Sequence, residues 1–151
     1  MKPFTALLGA AAGSHAADQL ALAALPLTAA LALGANGATI GLLMAAQSAA
    51  WLLVSLPAGA WIDRASRRRL LAGAQAMGMA GALVALIAAE AGMAWLLGLG
   101  AFLSASATVI YVLGSVSILP GLVPAADLPR ANARIELVRA AVSLAAPVSS
   151  G

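Results

Sequence analysis

Three polar side chains in the first apolar run have the types and the spacing to handle a proton. His15, Asp18 and Gln19 stand at positions i, i+3 and i+4, so they share one face if this run is a helix. An ionisable group within apolar sequence costs several kcal/mol to bury in a membrane unless it faces a cavity or a partner. We therefore expect Asp18 to take up and release a proton, with His15 as its neighbour. A satisfied network of interhelical hydrogen bonds is the alternative interpretation.

A second row of polar side chains lies in a later apolar run. Ser104, Thr108, Tyr111 and Ser115 are spaced i, i+4, i+7 and i+11, which places them on one stripe of a helix. Hydroxyl groups without a charge suit contact with a neutral or amphipathic small molecule. Hydrogen bonding between packed helices is the competing explanation.

Other kinds of chemistry lack the residues they need. The sequence has no cysteine and one histidine, which excludes thiolate nucleophiles, disulfides and cysteine-based metal sites. A phosphate-binding loop of the Gly-Lys-Ser/Thr type is also missing from the sequence. We predict no enzymatic activity, no metal and no cofactor.

The elements that hold these residues are predicted to cross a membrane. Hydrophobic residues make up 63% and charged residues 9% of the sequence, whereas soluble domains carry about 25% charged residues. Apolar runs of ~20 residues match the hydrocarbon core of a bilayer. Five membrane helices are predicted at approximately 4–33, 38–62, 69–89, 93–119 and 131–151 and beyond. Because the last run is still apolar at Gly151, we interpret the chain as the front part of a longer all-α integral membrane protein.

Basic residues are predicted to lie on one side of that membrane. All eight Lys and Arg residues fall before helix one, between helices two and three, or around the start of helix five. Cytoplasmic loops carry an excess of Lys and Arg, so we expect a cytoplasmic N-terminus in a bacterial inner membrane. This topology explains the net charge of +3 without a nucleic-acid partner.

The segment between helices two and three carries a recognisable pattern. Its residues are Gly59, Asp63, Arg64, Arg67, Arg68 and Arg69. The pattern G-x-x-x-D-R-x-x-R-R-R resembles the loop between helices two and three of the major facilitator superfamily. The resemblance implies that Asp63 and Arg64 join a charge network that latches the two halves of such proteins, and that the three later arginines meet lipid phosphates. A merely basic cytoplasmic loop is the alternative.

Motifs in the last third of the chain extend this resemblance. The region joining helices four and five is similar to that of the branch containing macrolide-efflux proteins and the enterobactin exporter. Its matching residues include Thr108, Tyr111, Pro120, Pro124, Glu136 and Arg139. The final run, with Pro147 and Gly151, resembles a degraded antiporter signature of helix five, which favours export. Packing of small residues in an ordinary membrane helix also explains that run.

The resemblance implies a fold and a function. The fold is the first five helices of a twelve-helix transporter, an incomplete N-terminal half. The function is secondary active transport: efflux of small hydrophobic or amphipathic compounds by alternating access, coupled to protons. The implied partners are the lipid bilayer, a small-molecule substrate, protons and the remaining helices of a longer chain. A siderophore exporter of the same fold and a truncated bundle without transport activity are the alternatives.

Overall fold

Five α-helices make up the computed structural model, which describes residues 2–64 and 66–145. They are α1 (Lys2–Leu31), α2 (Gly37–Arg64), α3 (Arg67–Ala91), α4 (Ala94–Ile118) and α5 (Leu128–Ala145). Two single-turn 3-10 helices, Leu119–Gly121 and Ala125–Asp127, lead from α4 to α5. The described residues contain no strand, in agreement with the all-α fold expected from the sequence.

α2, α3 and α5 extend further into the connecting segments than the sequence indicated, whereas α1 ends two residues earlier than expected and α4 is one residue shorter at each end. α2 reaches Arg64 and α3 starts at Arg67, so most of the basic segment expected to be a loop is helical. Pro57 lies inside α2, where it removes one backbone hydrogen bond without ending the helix. α5 starts at Leu128 and not near 131, because Pro129 occupies the first turn, where its missing N–H is not needed.

Asn36 stabilises the start of α2, and Gly92 ends α3. The backbone N–H of Thr39 donates to Oδ1 of Asn36 at 2.9 Å, which satisfies one of the unpaired donors at the start of α2. Gly92 follows α3 with a φ of 69°, a left-handed conformation that glycine adopts without steric cost. Both turns are therefore only a few residues long.

α4 is the central helix of the bundle. Within the most apolar 18-residue stretch of α4, 56% of the residues are buried. The corresponding stretches of α2 and α3 are 17% and 11% buried. It packs against α1, α2 and α3, while α5 lies along α1. Leu43 and Leu97 belong to one buried cluster, and Ala58 and Ile110 belong to another, so α2 and α4 run in the same direction. α1 and α3 run the opposite way, and α5 runs parallel to α1.

Three helices are long and apolar enough to cross a membrane: Gly37–Ile62, Arg68–Ala91 and Ala94–Gly121. The expected total of five spanning helices is not confirmed by this criterion. In α1 the apolar run is interrupted by His15, Asp18 and Gln19, and the described part of α5 is short and charged. The α2 surface carries exposed leucines, including Leu52 (76% exposed) and Leu56 (84% exposed), as expected of a helix that faces lipid.

Candidate functional site

A cavity of about 430 Å³ lies between α1 and α3, with α4 behind it. Each of the first four helices contributes polar side chains to its lining. They are Ser14 and Asp18 from α1, Gln47 from α2, Gln75 from α3, and Ser104 and Thr108 from α4. The remaining lining consists of Ala, Gly and Met residues. A mostly apolar cavity with a few convergent polar groups is the usual form of a small-molecule site.

Small side chains explain why this space is open. The α1 wall consists largely of Ala10, Gly13, Ala17 and Ala21, which are spaced three or four residues apart and so share one helix face. The α3 wall includes Gly78 and Ala82. Residues of this size cannot fill the gap between two helices at normal separation, so the cavity follows directly from the sequence of these two faces.

Asp18 faces the cavity together with Thr108. The Asp18 side chain is half-buried, and it lines the same cavity as the Thr108 side chain. The Thr108 hydroxyl donates to the backbone oxygen of Ser104 at 3.2 Å. Because a hydroxyl has only one proton, Thr108 can donate to a charged Asp18 only by giving up its bond to Ser104. A protonated Asp18 can instead donate to the Thr108 oxygen while the bond to Ser104 is kept, so the pair accommodates both protonation states.

His15 and Gln19 contact α5. Nε2 of His15 lies 2.8 Å from Oγ of Ser143, and Nε2 of Gln19 donates to the same oxygen at 3.1 Å. The three polar residues of α1 thus divide between the cavity and the α1–α5 interface. Sequence reasoning did not identify Ser143, although it follows Arg139 by four residues and therefore shares its helix face.

The polar stripe of α4 also divides into two parts. Ser104 and Thr108 line the cavity, whereas Tyr111 and Ser115 are 4% and 3% exposed in the packed interior and are not part of its lining. Oγ of Ser115 donates to the Val112 backbone oxygen at 2.8 Å. The Tyr111 hydroxyl has no hydrogen-bond partner among the described residues.

Gln47 is a cavity residue that sequence reasoning missed. It is 7% exposed, and its Oε1 has no hydrogen-bond partner within the described part of the chain. The sequence could have identified it, because Gln47 is the single glutamine in the long apolar run of α2, and an amide without a partner is costly to bury there.

The basic segment lies where α2 ends and α3 begins. Arg64 is in the last turn of α2, where a cation interacts favourably with the helix dipole. Arg68 and Arg69 are exposed in the first turn of α3, where the dipole disfavours each cation by about 0.3–1 kcal/mol. Helix stability therefore does not account for these two arginines. Gly59 lies within α2, and the side chains of Asp63 and Arg67 fall outside the described part of the structure.

Glu136 and Arg139 form an ion pair on α5, with Oε1 of Glu136 and Nη1 of Arg139 2.8 Å apart. The Glu136 side chain is 67% exposed, so the pair contributes no more than about 1 kcal/mol to stability. Two other residues expected in a helix-five motif, Pro147 and Gly151, lie outside the described residues.

Comparison with known proteins identifies one relationship. The model of the Major Facilitator Superfamily matches residues 7–151, which is nearly the whole sequence. No curated protein and no solved structure matches the chain.

Proposed function

The chain belongs to the Major Facilitator Superfamily, and from this premise we propose that it exports small hydrophobic or amphipathic compounds in exchange for protons. Membership of the family makes it a multi-pass membrane transporter with a small-molecule substrate. The direction of transport, the coupling ion and the substrate class are the proposed part.

One observation supports proton coupling above the others: Asp18 and Thr108 face the same cavity. Within the helices that form this lining, Asp18 is the ionisable residue that reaches the cavity. Thr108 can serve it as acceptor or donor, according to the protonation state. A carboxyl group that changes charge inside a substrate cavity links proton release to substrate binding, because each alters the electrostatic environment of the other.

Export is supported by sequence likeness. The segment between helices four and five is similar to that of macrolide-efflux proteins, and the run around Pro147 resembles a degraded form of the antiporter signature of helix five. In this proposal the protein lies in a bacterial inner membrane with a cytoplasmic N-terminus. Asp63 and Arg64 then belong to the network that latches the outward-open state.

The test is drug accumulation in bacteria that lack their own main exporters and produce the full-length gene product. We expect lower steady-state accumulation of ethidium than in cells with an empty vector, and a protonophore should abolish the difference. Equal accumulation in both strains would reject export of this class of compound. A parallel measurement of secreted catecholate siderophore tests the second candidate, and secretion that rises only with the gene would favour it.

A further inference from the structure

Gln47 is a buried polar residue of α2 that lines the cavity. Its side chain is 7% exposed, and its Oε1 has no hydrogen-bond partner among the described residues. Buried polar groups in native proteins are almost always paired, so each exception needs a reason. A partner that arrives only during function, such as a bound compound, is one such reason.

Gln47 lies where a bound compound could reach its side chain. It lines the cavity beside Asp18 and also a second cavity of about 300 Å³. Both cavities share Ala21, Ala82 and Ser104 as well, so they are adjacent and Gln47 stands where they meet. One elongated molecule can therefore extend through both. Gln47 Oε1 is covered in this arrangement, so a rotation of the side chain must present it to that molecule.

The two cavities differ in polarity. The first contains Asp18, Gln75 and Thr108. The second is walled mainly by aliphatic side chains, among them Leu25, Leu86 and Leu97. Asp18 is the ionisable side chain in the described lining of the two cavities. The only charge available there is thus negative, which disfavours an anionic compound.

We propose that Gln47 selects substrates by accepting a hydrogen bond. The selected compound is neutral or cationic, carries an N–H or O–H group beside the Gln47 amide, and places an apolar body in the second cavity. This inference rests on the proposed function, since it names the substrate class of the same cavity. Such a contact discriminates strongly, because a compound without a donor leaves the buried acceptor unpaired.

A matched pair of ligands tests the inference on the purified full-length gene product. The probes are phenylbutylamine, which is protonated at neutral pH, and its N-trimethylated quaternary derivative. They share the charge and the apolar body, but only the first has N–H donors. We expect the wild-type protein to bind the primary amine about tenfold more tightly, the ratio typical of one charge-assisted hydrogen bond.

Gln47→Met should remove most of that preference, because methionine has a similar length and no strong hydrogen-bonding group. Its thermal midpoint should be equal to or higher than that of the wild type, since an unpaired amide is lost. Ser48→Ala is the control: Ser48 is the next polar residue of α2, but it is exposed and lines neither cavity, so the preference should be kept.

Three results would overturn the inference: an unchanged preference in Gln47→Met, equal weakening of both probes with a lower thermal midpoint, or no binding of either probe by the wild type. The accumulation assay judges the proposed function separately. Ethidium export with an unchanged amine preference would reject only the role of Gln47. A lost preference without any export would reject only the transport proposal.

Discussion

His15 of α1 and Ser143 of α5 form a hydrogen bond across the helix interface, with Nε2 2.8 Å from Oγ. Gln19 donates to the same hydroxyl, so Ser143 connects two polar residues of α1 to α5. Ser143→Ala removes both bonds, and we expect the free energy of unfolding to fall by about 1–2 kcal/mol. Thermal unfolding of the purified protein measures this change.

Ser117→Ala is the control for that substitution. Oγ of Ser117 donates to the Gly114 backbone oxygen of its own helix at 2.8 Å, so its loss affects no second helix. It should change stability less than Ser143→Ala does. Equal losses in the two variants would mean that the α1–α5 bonds contribute nothing of their own.

Gly81 and Gly100 allow α3 and α4 to approach closely. A Cβ atom on Gly81 would lie 2.5 Å from Oγ of Ser104 and 2.7 Å from its backbone N. Gly81→Ala must therefore push the helices apart, and we expect a loss of about 1–3 kcal/mol. Gly73→Ala, also in α3, meets nothing within 4 Å and should leave the thermal midpoint unchanged or slightly raised. A Gly81→Ala variant as stable as Gly73→Ala would contradict this packing.

The helices could be read from the sequence because long apolar runs alternate with glycine, proline and charged residues. The sequence did not indicate which neighbouring helix each polar side chain contacts. His15, Asp18 and Gln19 share one face by spacing, yet the first and last contact α5 while Asp18 faces α3 and α4. Helical periodicity gives the direction of a side chain relative to its own axis. Which neighbour lies in that direction depends on how the helices pack, and the cavity at Gln47 depends on four helices at once.

The topology predicts which end of the bundle faces the cytoplasm. The sequence has no cysteine, so a single introduced cysteine can be labelled without background. In intact cells, a membrane-impermeant maleimide should label Glu90→Cys, beyond the end of the apolar part of α3, but not Ser66→Cys. Ser66→Cys should react only after the membrane is permeabilised. The opposite pattern would invert the proposed orientation.

Thr108 is expected to matter through its hydroxyl. Thr108→Val keeps the shape of the side chain but removes the group that can donate to Asp18 or accept from it. We expect proton-driven efflux to slow about tenfold, the effect of losing one hydrogen bond to a charged group. Thr108→Ser retains the hydroxyl and should retain most of the rate. Equal rates in Thr108→Val and the wild type would show that Asp18 does not depend on this partner.

In the proposed function, Asp18 couples transport to protons. Asp18→Asn preserves the size of the side chain but cannot gain or lose a proton near neutral pH. In proteoliposomes that contain the full-length gene product, this variant should lose efflux driven by an imposed proton gradient. Exchange of substrate across the membrane without a gradient should continue, because the cavity remains intact.

Asp127→Asn is the matched control, since Asp127 is an exposed carboxylate between α4 and α5. The most direct measurement is therefore gradient-driven ethidium transport by wild type, Asp18→Asn and Asp127→Asn side by side. We predict wild-type rates for Asp127→Asn and no gradient-driven transport for Asp18→Asn. A proton gradient that drives transport by Asp18→Asn at the wild-type rate would contradict the assignment of Asp18 as the coupling residue.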